Sequence, residues 1–542
     1  MTDRSTVPNR NRLIIALLST SLVTALSGCS VSVNPKPEET PQTTPVPESA
    51  MVQDLTETEY EIVEEEFLKI KSGEVAPEDY AETKEELLEI QERIAFDELN
   101  DKEDKLETLF EQYKETADGF YTPDMIYGVL DGNNETVMNS DLYRFCLDLP
   151  KGADLHDHNY YGVPKDRFLK LISEYPGVRI VLDQKAEDYG CLYGPKAEDT
   201  PDYAVLLSQA LTDGRIRLSD LRQMLSLKDK NDPRLEWTDM NRMMKSLGYL
   251  LADPDLAVKI YEESLRSYCE HNVSLLEVRM VFKNGDDDAN IAKLQPFIQA
   301  YRNIKTEYPD FKLRFIASSA KGYSMKKEDA LAALDSAIRI KDRVMDDTQD
   351  KPSSMIIGLD LVNEEDAGNP LGDYAEYFNS EKTKNSGLHY FFHCGESLRI
   401  DNDSVVDAYL LGADRVGHGF NLYRFPDVMQ LYKDEGITLE ICPMSNLRLG
   451  YVPDLRLHPA LSYLRSGVKV SLCSDDALFM VENPLVDDFY AAIMNWDLTL
   501  ADIKMLCRNS LEASGLPDDE RQELLEKWDK DWDAFVDKEL SH

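Results

Sequence analysis

Leu149-Pro150-Lys151-Gly152-Ala153-Asp154-Leu155-His156-Asp157-His158 ends a short apolar stretch on two histidines two residues apart. On a strand, positions i and i+2 face the same way, so both imidazoles aim at one side. Seven more short apolar segments follow, at 273–280, 313–319, 355–361, 388–393, 414–417, 437–442 and 468–474. Longer stretches of helical periodicity separate them, which is the pattern of βα units. With 153–158 counted first there are eight. Eight units predict an α/β fold, a closed (β/α)8 TIM-type barrel whose site lies at the C-terminal strand ends.

The chemistry-bearing residues fall at those ends. His156 and His158 end the first strand, and Asp360 lies in the fourth with Asn363 just past it. His393 and Glu396 end the fifth, His418 follows the sixth, and Asp475 with Asp476 follow the eighth. Four of the chain's 8 histidines sit at strand ends, a placement that scattered structural residues have no reason to adopt. Two imidazoles aimed into a barrel mouth suit zinc, and His393 and Asp475 can complete the set while leaving a position for water. Barrels that hold two metals often place a Lys at the end of strand four. Here that place reads Asp360-Leu361-Val362-Asn363, so one ion is expected. His389 is four residues from His393, roughly 13 Å along a strand, too far to share an ion. His389, His271 and His458 are read as packing or capping residues.

Composition narrows the partners. Lys plus Arg is 59 against 102 for Asp plus Glu, a formal charge of −43 over 542 residues. Phosphate backbones repel such a surface, so nucleic acid is not a partner. Eight cysteines are too few for a disulfide scaffold. Residues 1–29 read as a leader: Arg4, Arg10 and Arg12 precede an apolar stretch at 13–26, which is short for a membrane span. The ending Leu26-Ser27-Gly28-Cys29 resembles the bacterial lipoprotein signal, which implies lipidation at Cys29. Residues 30–50 are rich in proline and form a tether. The expected location is exported and lipid-anchored to a bacterial membrane, on the cell surface or the periplasmic face.

Residues 51–120 carry 24 acidic against 7 basic side chains, with apolar residues at helical spacing. An acidic helical segment over 51–130 either packs on the main domain or makes a homodimer; a stripe says only that something covers it. The barrel is expected over 145–515, with an insertion at about 164–235, and a C-terminal helix over 516–542.

Five motifs resemble those of adenosine deaminases, in family order. The 149–158 run resembles the opening Pro-Lys…Leu-His-x-His, and His393-Cys394-Gly395-Glu396 resembles His-Ala-Gly-Glu. Arg415-Val416-Gly417-His418-Gly419 resembles Arg-Ile-Gly-His-Gly. Glu440-Ile441-Cys442-Pro443-Met444-Ser445-Asn446 and Ser474-Asp475-Asp476 resemble the last two. Asp360-Leu361-Val362 with Glu365-Asp366, and 454–459, are similar to the secreted growth-factor subgroup. That subgroup has an N-terminal dimerisation segment and an insertion after strand one.

The resemblance implies hydrolytic deamination of adenosine or 2′-deoxyadenosine to inosine or 2′-deoxyinosine and ammonia. It implies one Zn2+ on His156, His158, His393 and Asp475, with the ion acidifying a water. Glu396 is the implied general acid at N1 of the purine, His418 orients the water, and Asp476 shares a hydrogen bond at N7. Asn363 offers its backbone N–H to the purine where the family commonly has Gly. Asn159 stands where the subgroup tends to have an Asp near the ribose, and Tyr160 and Ala477 also depart from the pattern. Deamination of another adenine derivative, or a non-catalytic nucleoside-binding lipoprotein, are the alternative readings. Cys191 is expected either free or paired with Cys146 or Cys269. Trp237 is read as a helix-packing residue rather than a pocket wall.

Overall fold

The computed structural model describes residues 99–117, 135–159, 161–227, 233–322, 325–349 and 351–541. The leader with Cys29, the tether, most of the 51–130 segment and Tyr160 lie outside the described residues.

Eight strands form one sheet in chain order. They are β1 (Gly152–His158), β2 (Val273–Val281), β3 (Lys312–Ala320), β4 (Ile356–Val362), β5 (His389–Cys394), β6 (Arg415–His418), β7 (Thr438–Ile441) and β8 (Val470–Leu472). All neighbours pair in parallel. The sheet returns to its start where the Asp475 N–H donates to the His156 carbonyl at 2.8 Å, beside a parallel bridge between Asp157 and Asp475. Each segment expected from the sequence is a strand. β1, β3 and β4 are buried along their whole length, as strands covered by helices outside and side chains inside must be.

The barrel interior is not purely apolar. Arg279 lies between two carboxylates, donating Nε–H to Asp360 at 2.7 Å and a terminal N–H to Glu440 at 2.6 Å. Arg415 repeats the arrangement with Glu440 at 2.7 Å and Glu277 at 2.6 Å. All five side chains are buried. Removing one partner would leave an uncompensated buried charge, so the set stands or falls together.

Five helices matter here: α1 (Asp101–Thr116), α2 (Asp141–Asp148), α3 (Pro233–Leu250), α4 (Leu500–Glu512) and α5 (Asp518–Glu539). Asn100 and Glu103 cap α1 reciprocally: Asn100 Oδ1 accepts the Glu103 N–H and Glu103 Oε2 accepts the Asn100 N–H. The other Glu103 oxygen accepts Trp532 Nε1–H from α5 at 2.6 Å and pairs with Lys504 of α4 at 2.9 Å. Phe110 of α1 meets Phe145 of α2 at 4.9 Å between ring centres, and Phe145 meets Phe535 of α5 at 5.0 Å. The apolar stripe of α1 is therefore covered by its own chain.

Between β1 and β2 the chain adds a small antiparallel sheet, with Arg179–Ile180 between Leu192–Tyr193 and Val205–Leu206, and then α3. The seven described cysteines are all free, so Cys191 pairs with neither Cys146 nor Cys269. His271 is the C-cap of the helix Pro254–Glu270, His389 lies 3.2 Å from Asp414, and His458 accepts the Ala460 N–H at 3.1 Å.

Candidate active site

His156, His158, His393 and Asp475 converge at the C-terminal end of the barrel. His158 Nε2 lies 3.1 Å from His393 Nε2 and 3.3 Å from Asp475 Oδ1, and His156 Nε2 lies 3.7 Å from the same oxygen. Local backbone makes this convergence. β1 presents His156 and His158 on one face, and β6 has Gly417 where a side chain would strike His156, 2.9 Å from Cε1. Asn159, Asn363, His418 and Asp475 all have positive φ, between 54° and 94°. Such backbone persists only where surrounding contacts impose it, and here it clusters at one strand-end face.

The carboxylates behind the histidines fix their tautomers. His156 Nδ1 donates to Glu440 at 2.8 Å and His393 Nδ1 donates to Asp360 at 2.6 Å. A carboxylate accepts only, so each ring turns an Nε2 lone pair into the cluster. His156 Nε2 is buried and has no hydrogen-bond partner among the described residues. The His156 and His393 rings therefore have no proton left for the cluster, and their Nε2 lone pairs face it beside the Asp475 carboxylate. A cation would be held by those lone pairs and that carboxylate. Two nitrogens bound tetrahedrally to one zinc at roughly 2.1 Å would sit about 3.4 Å apart, so the three spacings fit. The donor set of three imidazoles and one carboxylate suits zinc, with carboxylates orienting the histidines from behind. Burial, followed by the charges of Arg279 and neighbouring histidines, holds His156 well below its usual range. His158 is lowered likewise, by burial, His393 and Arg279. Both are therefore neutral, as ligands must be.

Glu396, His418 and Asp476 face the same space. Glu396 is 3% exposed, and its Oε1 has no hydrogen-bond partner among the described residues. Burial and the neighbouring Asp475 and Glu365 charges push its carboxyl well up. His418 Nδ1 lies 3.7 Å from that oxygen, and His418 Nε2 lies 3.9 Å from Asp475. Burial and the His393 and Arg279 charges keep His418 neutral. Asp476 has an unpartnered buried Oδ1, and burial with the Asp475 charge raises its pKa. These groups open onto a cavity of about 930 Å³ that also borders Asn159 and Asn363. Trp237 corrects the sequence reading: it walls this cavity and donates Nε1–H to Tyr451 at 3.0 Å.

Sequence reasoning assigned no role to the supporting layer. Glu365 accepts the backbone N–H of Glu396 at 2.9 Å and of Gly395 at 3.2 Å, so it fixes the peptide that carries Glu396. Lys321 Nζ donates to the His393 carbonyl at 3.0 Å. Ser474 Oγ donates to Asp154 at 2.6 Å, and Tyr268 hydroxyl donates to Asp157 at 2.6 Å. The available signal was the run of charged residues inside strand segments that must be buried: Glu277, Arg279, Arg415 and Glu440.

The adenosine deaminase family model matches residues 333–531 of the chain. That span holds His393, Glu396, His418, Asp475 and Asp476, and starts after β3. Adenosine deaminase 2 of Dictyostelium discoideum is 28% identical over 421 residues, covering 73% of this chain and 75% of that protein. Adenosine deaminase 2 of Homo sapiens is 25% identical over 430 residues, covering 74% and 81%. Among solved structures, arabidopsis ADAL complexed with GMP superposes with a TM-score of 0.52 at 18% identity, covering 71% of this chain and 98% of that one. At that identity the likeness concerns the barrel alone.

Proposed function

We propose, from the premise that the chain belongs to the adenosine deaminase family and is a metal-dependent aminohydrolase, that its ion is a single zinc and its substrates are adenosine and 2′-deoxyadenosine. The observation that carries the zinc reading is the trio of Nε2 atoms at His156, His158 and His393 beside Asp475. Those four residues would hold the ion. Zinc, when bound, lowers the pKa of a water toward neutrality.

The chain's own groups do the rest. The raised Glu396 carries a proton and donates it to N1 as the ring loses aromaticity. Asp476, raised in the same way, also carries a proton, so it donates to N7, which can only accept. Asn363 borders the cavity with its side chain held by the Glu364 N–H at 2.8 Å, and its backbone N–H is assigned to the purine. Neutral His418 offers a lone pair that orients the water and takes its proton. The water oxygen bonds to C6 and the C6–amine bond breaks; the proton taken by His418 leaves with the amine as ammonia, and the second water proton returns to Glu396 as the C6 carbonyl forms. Asn159 borders the cavity, and its side chain is assigned to the ribose.

The test is ammonia release from adenosine, 2′-deoxyadenosine, guanosine and cytidine, with bound metal measured alongside. The reading expects release from the two adenine nucleosides, one zinc per chain, and loss of both zinc and turnover on chelation, restored by zinc. Full turnover in metal-free protein would reject it.

Export and anchoring belong to the same proposal. They rest on the 1–29 leader and Cys29, and among the described residues no helix is long and apolar enough to cross a membrane. Cys29→Ser should abolish palmitate incorporation; unchanged labelling would reject the lipid anchor. A homodimer through 51–130 would have to use residues outside α1, because the α1 stripe is already covered.

A further inference from the structure

The floor of the cavity carries the carboxyl groups of Glu396, Asp475 and Asp476. Its outer wall carries Lys245, Lys283 and Lys293, opposed there by one carboxylate, Asp329. None of the three lysines forms an ion pair with a described residue. Lys293 is held in place by donating to the Val281 carbonyl at the end of β2. It lies close enough to Lys283 to be repelled by it; burial first, then that repulsion, push its pKa down to about 8.

The lysines stand at a useful height. In the β1–β2 register His158 faces Arg279, and Val281 lies two residues further toward the mouth. Two strand residues are roughly 7 Å, so Lys283 and Lys293 sit above the metal-ligand level by about the reach of a ribose. Lys245 comes from another element, the helix α3. It shares a face of α3 with Trp237, Asn241 and Met244, at the i, i+4, i+7, i+8 spacing of one helical stripe. Cations from three separate segments thus line the same cavity without ion pairs, and Lys283 and Lys293 repel each other. An anion between them would relieve that repulsion and replace the missing carboxylates.

We propose that the outer cavity binds an anionic group carried by the purine nucleoside, most simply a phosphate monoester on the ribose, through Lys245, Lys283 and Lys293. This rests on the purine reading of the floor given above. It extends the substrate class from nucleosides to adenine nucleotides, with the base on the carboxylates and the phosphate on the lysines. A neutral nucleoside would use only the floor and leave the lysines in water.

The test uses full-length zinc-loaded protein with adenosine, 5′-AMP and 3′-AMP. Ammonia release and equilibrium dialysis are run in parallel, so binding is read even if no substrate turns over. The proposal expects one of the two nucleotides to bind at least fivefold tighter than adenosine at 50 mM salt, and to lose that margin at 500 mM salt. Which nucleotide gains identifies the ribose position. In Lys283→Gln/Lys293→Gln the nucleotide-to-adenosine ratio of kcat/KM, or of affinity, should fall to near one, and Lys245→Gln should lower it in the same direction. A ratio unchanged in all these variants, or neither nucleotide binding better than adenosine at low salt, would overturn it. Failure of every adenine compound to release ammonia would sink the deaminase reading instead, while the dialysis arm still decides the lysines.

Discussion

Glu396→Gln keeps the shape of the side chain and removes the proton that N1 must receive. Turnover should fall by about 10²–10⁴ while zinc content stays at that of the wild type. Normal turnover in this variant would take the proton role from Glu396. Glu440→Gln tests the layer behind. Glu440 accepts from His156 Nδ1 at 2.8 Å and pairs with Arg279 at 2.6 Å and Arg415 at 2.7 Å. The neutral amide holds the His156 tautomer less firmly, so zinc affinity should drop ~10–100-fold in competition with a chelator. The contrast between these residues explains what could be read beforehand. His156, His158, His393, Glu396, His418, Asp475 and Asp476 were legible because reactive side chains recur at strand ends. Glu440 and Asp360 were visible as letters but not as partners, since the pairing of residue 440 with residue 156 is a product of closure. His458 carries a third prediction. It is buried, with Nε2 3.0 Å from Asn446 and Nδ1 accepting the Ala460 N–H, and burial pushes its pKa down to about 3 from 6.5. A lowered histidine leaves the unfolded chain binding more protons, so stability is present above pH 6.5 and is lost as pH falls toward 3. The full loss is on the order of 5 kcal/mol. Denaturant midpoints measured from pH 7 to pH 4 should decline less steeply in His458→Gln than in the wild type; parallel declines would remove His458 as a cause.

At the scale of elements, α1 gives the clearest case of a pattern that needed its surroundings. Its apolar residues at helical spacing could face another copy or the same chain, and sequence periodicity is blind to that choice. Three contacts decide it for the described part: Glu103 with Trp532 and Lys504, Phe110 with Phe145, and Lys114 Nζ with the Leu498 carbonyl at 3.2 Å. If α1 is an integral part of the core, Phe110→Ala removes a fully buried ring and should cost about 3 kcal/mol in equilibrium unfolding. A cost below about 1 kcal/mol would mean that α1 detaches before the barrel melts. The helix α3 shows the opposite limit. Its Trp237 was read as packing because a lone tryptophan on an amphipathic helix usually packs. Only the path of the insertion after β1, which carries α3 over the barrel mouth, turns the same stripe into a cavity wall.

For the whole molecule, the unbalanced charge of −43 acts on every element at once. Surface ion pairs such as Lys102–Asp537 and Arg302–Asp347 oppose it, but each exposed pair contributes only ~0–1 kcal/mol and salt weakens it. The buried set of Arg279, Arg415, Asp360, Glu277 and Glu440 lies out of reach of ions and should respond little. What salt can change is the repulsion among uncompensated carboxylates, which unfolding relieves by spreading them apart. The Debye length shrinks from about 30 Å at 0.01 M to about 8 Å at 0.15 M, so repulsion across the domain is largely screened over that range. The melting temperature should therefore rise between these two salt concentrations, by roughly 2–4 °C for each kcal/mol of repulsion removed in a protein of this size. Sodium chloride is the appropriate salt, because sulfate would also strengthen hydrophobic burial. A melting temperature that falls with sodium chloride would mean that local pairs, not net charge, govern the electrostatics of folding, and that the acidic excess is arranged so that its members scarcely feel one another.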